Sequence, residues 1–213
     1  VDTQFSLKEA AAIADVPELF VRKAIDQKTL RPRSIASGRA VRHRFDVDDM
    51  LFLKVISRFP FGLPRKDKDA LRSLVKGERT RAGKWRTEKV DFVARVGDLV
   101  IVVECKDLRS TLARDVAAYQ RGLKRIVSDP SVMAGEPVFA GTRIPLAHIS
   151  GLIAKGIPLD EIAEDYPALS RADLAFAAIH AKMKRNPGRP RKPLRFVRES
   201  LPPARSKARS KRP

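Results

Sequence analysis

Asp91, Glu104 and Lys106 stand in an order that could break bonds: a carboxylate, then a carboxylate two residues before a lysine. Two carboxylates can hold a Mg²⁺ ion, and a neighbouring lysine can orient or activate an attacking water. Glu104-Cys105-Lys106 also closes a hydrophobic run, so a hairpin ending in a surface Glu and Lys explains the same residues without any reaction. The rest of the chain offers little more for catalysis. His43, His148 and His180 are far apart, with no metal-ligand spacing around them, and His148 lies in an apolar segment that suits a satisfied core or interface position. No phosphate-cradling Gly-rich loop or nucleophile–base pair is present. The sequence therefore leads to a binding protein with no catalytic site, no metal and no cofactor.

Charge says what it would bind. The 213 residues carry 44 Lys and Arg against 25 Asp and Glu, a net charge of +19. Ten of those cations lie in residues 186–213 with one acid, Glu199, and six prolines, yet the body that remains is also strongly cationic. Such an excess points to a polyanion, usually nucleic acid. A membrane surface would need a long apolar span or a basic amphipathic helix, and neither is evident. The absence of an apolar signal sequence and a single cysteine, Cys105, fit a reducing cytoplasm. Cys105 reads as a small buried residue at the end of a strand.

The cations are organised. Ser6 is the expected N-cap of a helix over 7–15, Asp15-Val16-Pro17 breaks it, and a second helix runs over 17–28. That second helix buries Phe20 or Val21, Ala24 and Ile25 and presents Arg22, Lys23, Gln27 and Lys28, the donors a recognition helix needs for base edges and phosphates. Residues 33–45 form two extended arms around Ser37-Gly38, a wing carrying Arg39, Arg42, His43 and Arg44. A third helix, 47–58, opens on acids that suit its positive end. Residues 59–84 hold one helix, 66–76. A Gly97-Asp98 hairpin then joins two strands, and a helix over 107–123 follows. The 186–213 tail has too few apolar residues for a core and is expected to be extended or disordered in the free protein.

Residues 129–145 are densely punctuated by Gly and Pro around Val138-Phe139 and Ile144, which predicts a hairpin-like arm. Amphipathic segments follow at 146–156, 158–166 and 170–184. The last is apolar on more than one side, from Ala172 to Ile179, and so demands protein contact on two faces. We therefore expect oligomerisation or partner binding there, with Phe176 in the contact.

Four resemblances sharpen this reading. Gly135-Glu136-Pro137-Val138-Phe139, Gly141-Thr142-Arg143-Ile144-Pro145, Gly156-Ile157-Pro158-Leu159-Asp160-Glu161-Ile162 and Asp165-Tyr166-Pro167 resemble, over roughly residues 126–182, the antitoxin-associated family known as domain of unknown function 433. That resemblance implies a partner, a small nuclease-like toxin of a bacterial toxin–antitoxin pair. Residues 4–58 resemble the winged helix-turn-helix of MerR-type regulators. Asn186-Pro187-Gly188-Arg189-Pro190-Arg191-Lys192 resembles an AT-hook, with Arg189 and Arg191 for a narrow minor groove; Pro187 stands where hooks carry an Arg. Asp91, Glu104 and Lys106 resemble a restriction-endonuclease-like site, although that fold needs a larger sheet than the two convincing strands here. Toxins of the PIN type hold acids around a divalent metal, so Arg143, and Arg195, Phe196 and Arg198 of the tail, are the expected toxin contacts.

The expected fold is mainly α with small β elements. A winged helix-turn-helix occupies 1–58, a linker helix, β-hairpin and helix 59–125, a helical unit with its arm 126–185, and a basic tail 186–213. The expected activity is an antitoxin that neutralises a nuclease-like toxin and binds double-stranded operator DNA to repress its own promoter, as a homodimer or in a toxin–antitoxin hetero-oligomer. A stand-alone regulator is the alternative, and a metal-dependent nuclease the third reading.

Overall fold

The computed structural model describes residues 4–37, 40–59, 62–77, 85–88, 91–96 and 99–183. Arg39 and the tail residues Arg189, Arg191, Arg195, Phe196 and Arg198 lie outside them. The architecture is mainly helical with small antiparallel sheets.

Helices α1 (Leu7–Ala14) and α2 (Glu18–Asp26) flank a three-residue break. Ser6 and Glu9 close a capping box on α1, and Asp15 ends it in the left-handed region at φ 59°. Strands β1 (Arg33–Ser37) and β2 (Ala40–Arg44) pair as an antiparallel ribbon. Helix α3 (Val47–Ile56) has Asp46 and Asp49 in a second capping box. Every residue of α3 from Asp49 to Ile56 is buried, so the helix has to be surrounded, and α1, α4 and α5 surround it. Helix α4 (Arg65–Val75) leads to a sheet of three strands, β3 (Trp85–Glu88), β4 (Asp91–Val96) and β5 (Leu99–Val103), in that spatial order. This is one strand more than the expected hairpin. Strand β3 carries a single buried side chain, Trp85, followed by three exposed residues, so it lacks the alternation that marks a strand in sequence.

Helix α5 (Cys105–Leu123) starts two residues earlier than expected. Cys105 is its first residue and not the end of a strand. Asp91 explains the early start: its Oδ1 accepts the Cys105 backbone N–H at 2.9 Å, which supplies the cap that Glu104 does not. The 129–145 arm is also built differently from a lone hairpin. Strand β7 (Val138–Phe139) pairs outward with β6 (Ile126–Val127) and touches Pro145 on its other side. Gly141 takes φ 79° at the tip, and the Thr142 hydroxyl donates to Phe139 O while accepting from Ile144 N–H. Helices α6 (Leu146–Ala154), α7 (Leu159–Asp165) and α8 (Arg171–Lys182) follow, with Gly156 left-handed just past α6.

One hydrophobic cluster runs from Phe5 to Ile179 and joins both ends of this body. Its tightest point is the crossing of α5 and α8, where Gly122 lies beneath the Phe176 ring and leaves no room for a Cβ. Phe176 is 1% exposed, with its ring centroid 5.5 Å from that of Tyr119. It is therefore a core residue and not a toxin contact. The two apolar sides of α8 are both satisfied within the chain, one by α5 and the other by α6. A methyl at 122 must push α8 away, so Gly122→Ala should destabilise the protein by about 2–3 kcal/mol. For a body of this size that lowers the melting temperature by roughly 4–12 °C, measurable by differential scanning calorimetry. An unchanged melting temperature would mean that the crossing is loose.

Candidate nucleic-acid interface

Helix α2 is held by one face. Val21 and Ala24 are buried, Phe20 and Ile25 pack beside them, and Thr29 locks the exit by donating its hydroxyl to Ala24 O at 3.0 Å. The opposite face leaves Arg22 and Lys23 exposed together with Leu19; the helix ends two residues before the expected 28, so Gln27 and Lys28 are exposed just past it. Arg22 makes an exposed ion pair with Glu18 at 3.6 Å, an interaction weak enough to be given up for a phosphate. Gln27 accepts from Lys68 Nζ at 3.4 Å, so α4 orients one of the expected donors. Lys28 has φ 57°, a left-handed turn that stops the helix and swings the chain towards the wing.

In the wing, Arg33 pairs with Arg44, Ser34 with His43 and Ile35 with Arg42. Directly opposed residues share a face, so Arg33, Arg42, Arg44 and Ile35 line one side of the ribbon. Ser34 Oγ and His43 Nδ1 lie 3.2 Å apart on the other side, which separates His43 from the arginines it was grouped with in sequence. Arg33 was missed by motif reading. Its signal is the period-two alternation that puts it on the face of Arg42 and Arg44.

The wing's root is fixed by Phe5 and Phe45, which exchange two backbone hydrogen bonds of 2.9 Å. Just beyond, Asp46 accepts the Asp49 N–H at 2.7 Å and Asp49 returns a longer bond of 3.4 Å. Burial first, and the charge of Asp46 second, push the Asp49 carboxyl up to about 6. The folded chain thus holds that proton more tightly than the unfolded chain. Its stabilising effect is complete below the unfolded value near 4 and is lost as pH rises through 6. Asp49→Asn should then be more stable than the parent by about 2 kcal/mol at pH 7.5, and the difference should close at pH 4. Melting temperatures of both proteins across that range test it, and parallel curves would contradict it.

The other expected site residues are dispersed. Arg143 is exposed beside a groove of about 400 Å³ that Val127, Val132, Val138 and Thr142 help to line. Asp91 and Glu104 sit at the same end of β4 and β5, with Glu104 and Lys106 exposed, but the Asp91 carboxylate is engaged at the start of α5. Among the described residues no group of three or more His, Cys, Asp or Glu is gathered to hold a metal. His148 is exposed, 2.6 Å from the Tyr166 hydroxyl, and His180 Nδ1 lies 2.9 Å from the buried Ser150 hydroxyl. No helix among the described residues is long and apolar enough to cross a membrane.

The fold is thus that of a mainly helical protein with a basic helix, a basic ribbon and a separate helical unit behind a Gly/Pro-rich arm. Within it, residues 126–181 match a protein family of unknown function, DUF433. An uncharacterized protein of Sinorhizobium fredii, y4eO, is 30% identical over 66 residues, which cover 31% of this chain and 30% of that one. The chain therefore spans under a third of that relative's length. It is also similar to the crystal structure of Rv2018 from Mycobacterium tuberculosis, at 16% identity over 84% of this chain and 98% of the other. The TM-score of 0.29 is too low for that likeness to carry an argument.

Proposed function

We propose that this protein is the antitoxin of a bacterial toxin–antitoxin pair, reading operator DNA with its N-terminal unit and holding a nuclease-like toxin with its remaining surfaces. The observation that carries the DNA half is the outward face of α2 and the wing. Arg22 and Lys23 are exposed on a helix anchored by its other face, Gln27 and Lys28 are exposed just past its end, and Arg42 and Arg44 extend the same cationic character along the ribbon. A helix for the major groove and a ribbon for the backbone make one DNA-reading unit resembling the MerR-type winged helix. The toxin half rests on the resemblance of residues 126–182 to antitoxin-associated proteins. Arg143 is an exposed cation at the tip of its arm, fit for an acidic toxin centre, and the tail arginines Arg195 and Arg198 extend the same chemistry. A dimer would give two such units for a symmetric operator.

The full chain should bind its own upstream DNA with affinity that falls steeply with salt, by about 0.9 in the log–log slope for each phosphate neutralised. The double change Arg22→Ala and Lys23→Ala should weaken that binding roughly 10–100-fold. In the same cells, the product of the adjacent gene should co-purify with the protein as a nuclease-like partner. DNA binding that survives without any such partner would leave a stand-alone regulator. A flat salt response would remove the DNA half.

A further inference from the structure

A polar cavity of about 290 Å³ lies where the wing meets α3 and α4, and four cations reach it: Arg31, Arg33, Arg44 and Lys76. Two acids line it as well, Asp46 and Asp49, which accept each other's amides at the start of α3, and Lys76 is attracted to Asp49, so the lining carries four cations against two acids. None of the four cations lies in an ion pair among the described residues. Arg33 and Arg44 are moreover cross-strand partners, and like charges in that position repel. The surroundings are firm. The Phe5–Phe45 bridge holds the strand beside Arg44, and Arg72 Nη2 donates to Arg31 O at 3.4 Å. Cations that repel one another on a rigid frame around an open cavity are arranged for an anion with several acceptor oxygens.

We propose that this cavity is a phosphate-binding site, with Arg31, Arg33, Arg44 and Lys76 as its ligands, and that it seats a backbone phosphate of DNA at the root of the wing. The DNA source rests on the reading above; the phosphate chemistry does not. Of these ligands only Arg44 is among the wing cations that the sequence marks. Arg31 and Arg33 follow α2, and Lys76 comes from the end of α4, 32 residues beyond Arg44 by sequence number.

The test uses the full chain and the double change Arg33→Gln with Lys76→Gln. Inorganic phosphate should raise the melting temperature of the parent by about 3–5 °C over chloride at matched ionic strength, when present at ten times its dissociation constant. The double variant should lose that gain, and in chloride it should melt close to the parent, because the Arg33–Arg44 repulsion it relieves offsets the Lys76–Asp49 attraction it removes. On duplex DNA its log–log salt slope should be shallower by about 1, with sequence preference unchanged. Loss of phosphate protection with an unaltered slope would keep the site and make free phosphate its ligand. A parent that gains nothing from phosphate, with no change of slope in the variant, would overturn the proposal, as would a variant that melts well below the parent in chloride. Failure of the parent to bind duplex would defeat the DNA reading alone, since the phosphate arm still reports on the cavity.

Discussion

The close crossing of α5 and α8 at Gly122 is the constraint on which the rest of this structure depends. Because residue 122 has no side chain, the Phe176 ring can lie against the α5 backbone, one turn from Tyr119. Tyr119 in turn reaches the other end of the molecule. Its ring stands 6.2 Å from Phe5, and its hydroxyl donates to Glu9 Oε1 at 2.7 Å. Glu9 is also the acid of the α1 capping box, accepting Ser6 N–H at 2.6 Å. Burial opposes its charge, but the Ser6 amide and the Tyr119 hydroxyl together hold its carboxyl below the usual range. Residues 110 apart in sequence are thereby tied through one side chain. An exposed Lys182–Asp15 ion pair of 2.7 Å lies along the same boundary, but packing outweighs so solvated a contact.

Several acids of this protein are engaged at helix ends, while others, among them Asp26, Glu104, Asp107, Asp160 and Glu161, stay exposed. Asp46 and Asp49 cap α3, Asp91 caps α5, and Glu9 caps α1. Asp173 is fully buried, bonded by both Arg125 Nε and Nη2 and by Ser170. Burial opposes the Asp173 charge, yet those bonds outweigh it and keep its carboxyl below the usual range. Arg22, Lys23, Lys28 and Arg42 face solvent with at most a weak partner. A chain with a net charge of +19 attracts polyanions over a distance. That is the physical basis for the proposal that DNA binds α2 and the wing.

Local signals made much of this legible in sequence. Ser6 with Glu9 and Ser170 with Asp173 mark helix starts to within a residue, because a capping box is complete within four positions. The α2 face and the wing followed from short-range periodicity in the same way. What stayed hidden was set by distant partners. Strand β3 exists because β4 pairs with it, and the two-residue β6 exists because β7 does. The burial of Phe176 depends on Gly122, far back in the chain, so an apolar helix looked like an interface. The cavity at the wing root draws Arg31, Arg33, Arg44 and Lys76 from three separate segments, and no motif spans them.

If the α5–α8 crossing unites the N-terminal unit and the unit over residues 126–181, both must open together. Native-state hydrogen exchange read residue by residue measures this directly. Core amides of α1 and α3 should exchange with the same opening free energy as those of α8, and denaturant should lower both in parallel. Amides of α8 that open at a clearly lower free energy, while α1 and α3 keep full protection, would contradict a single cooperative body.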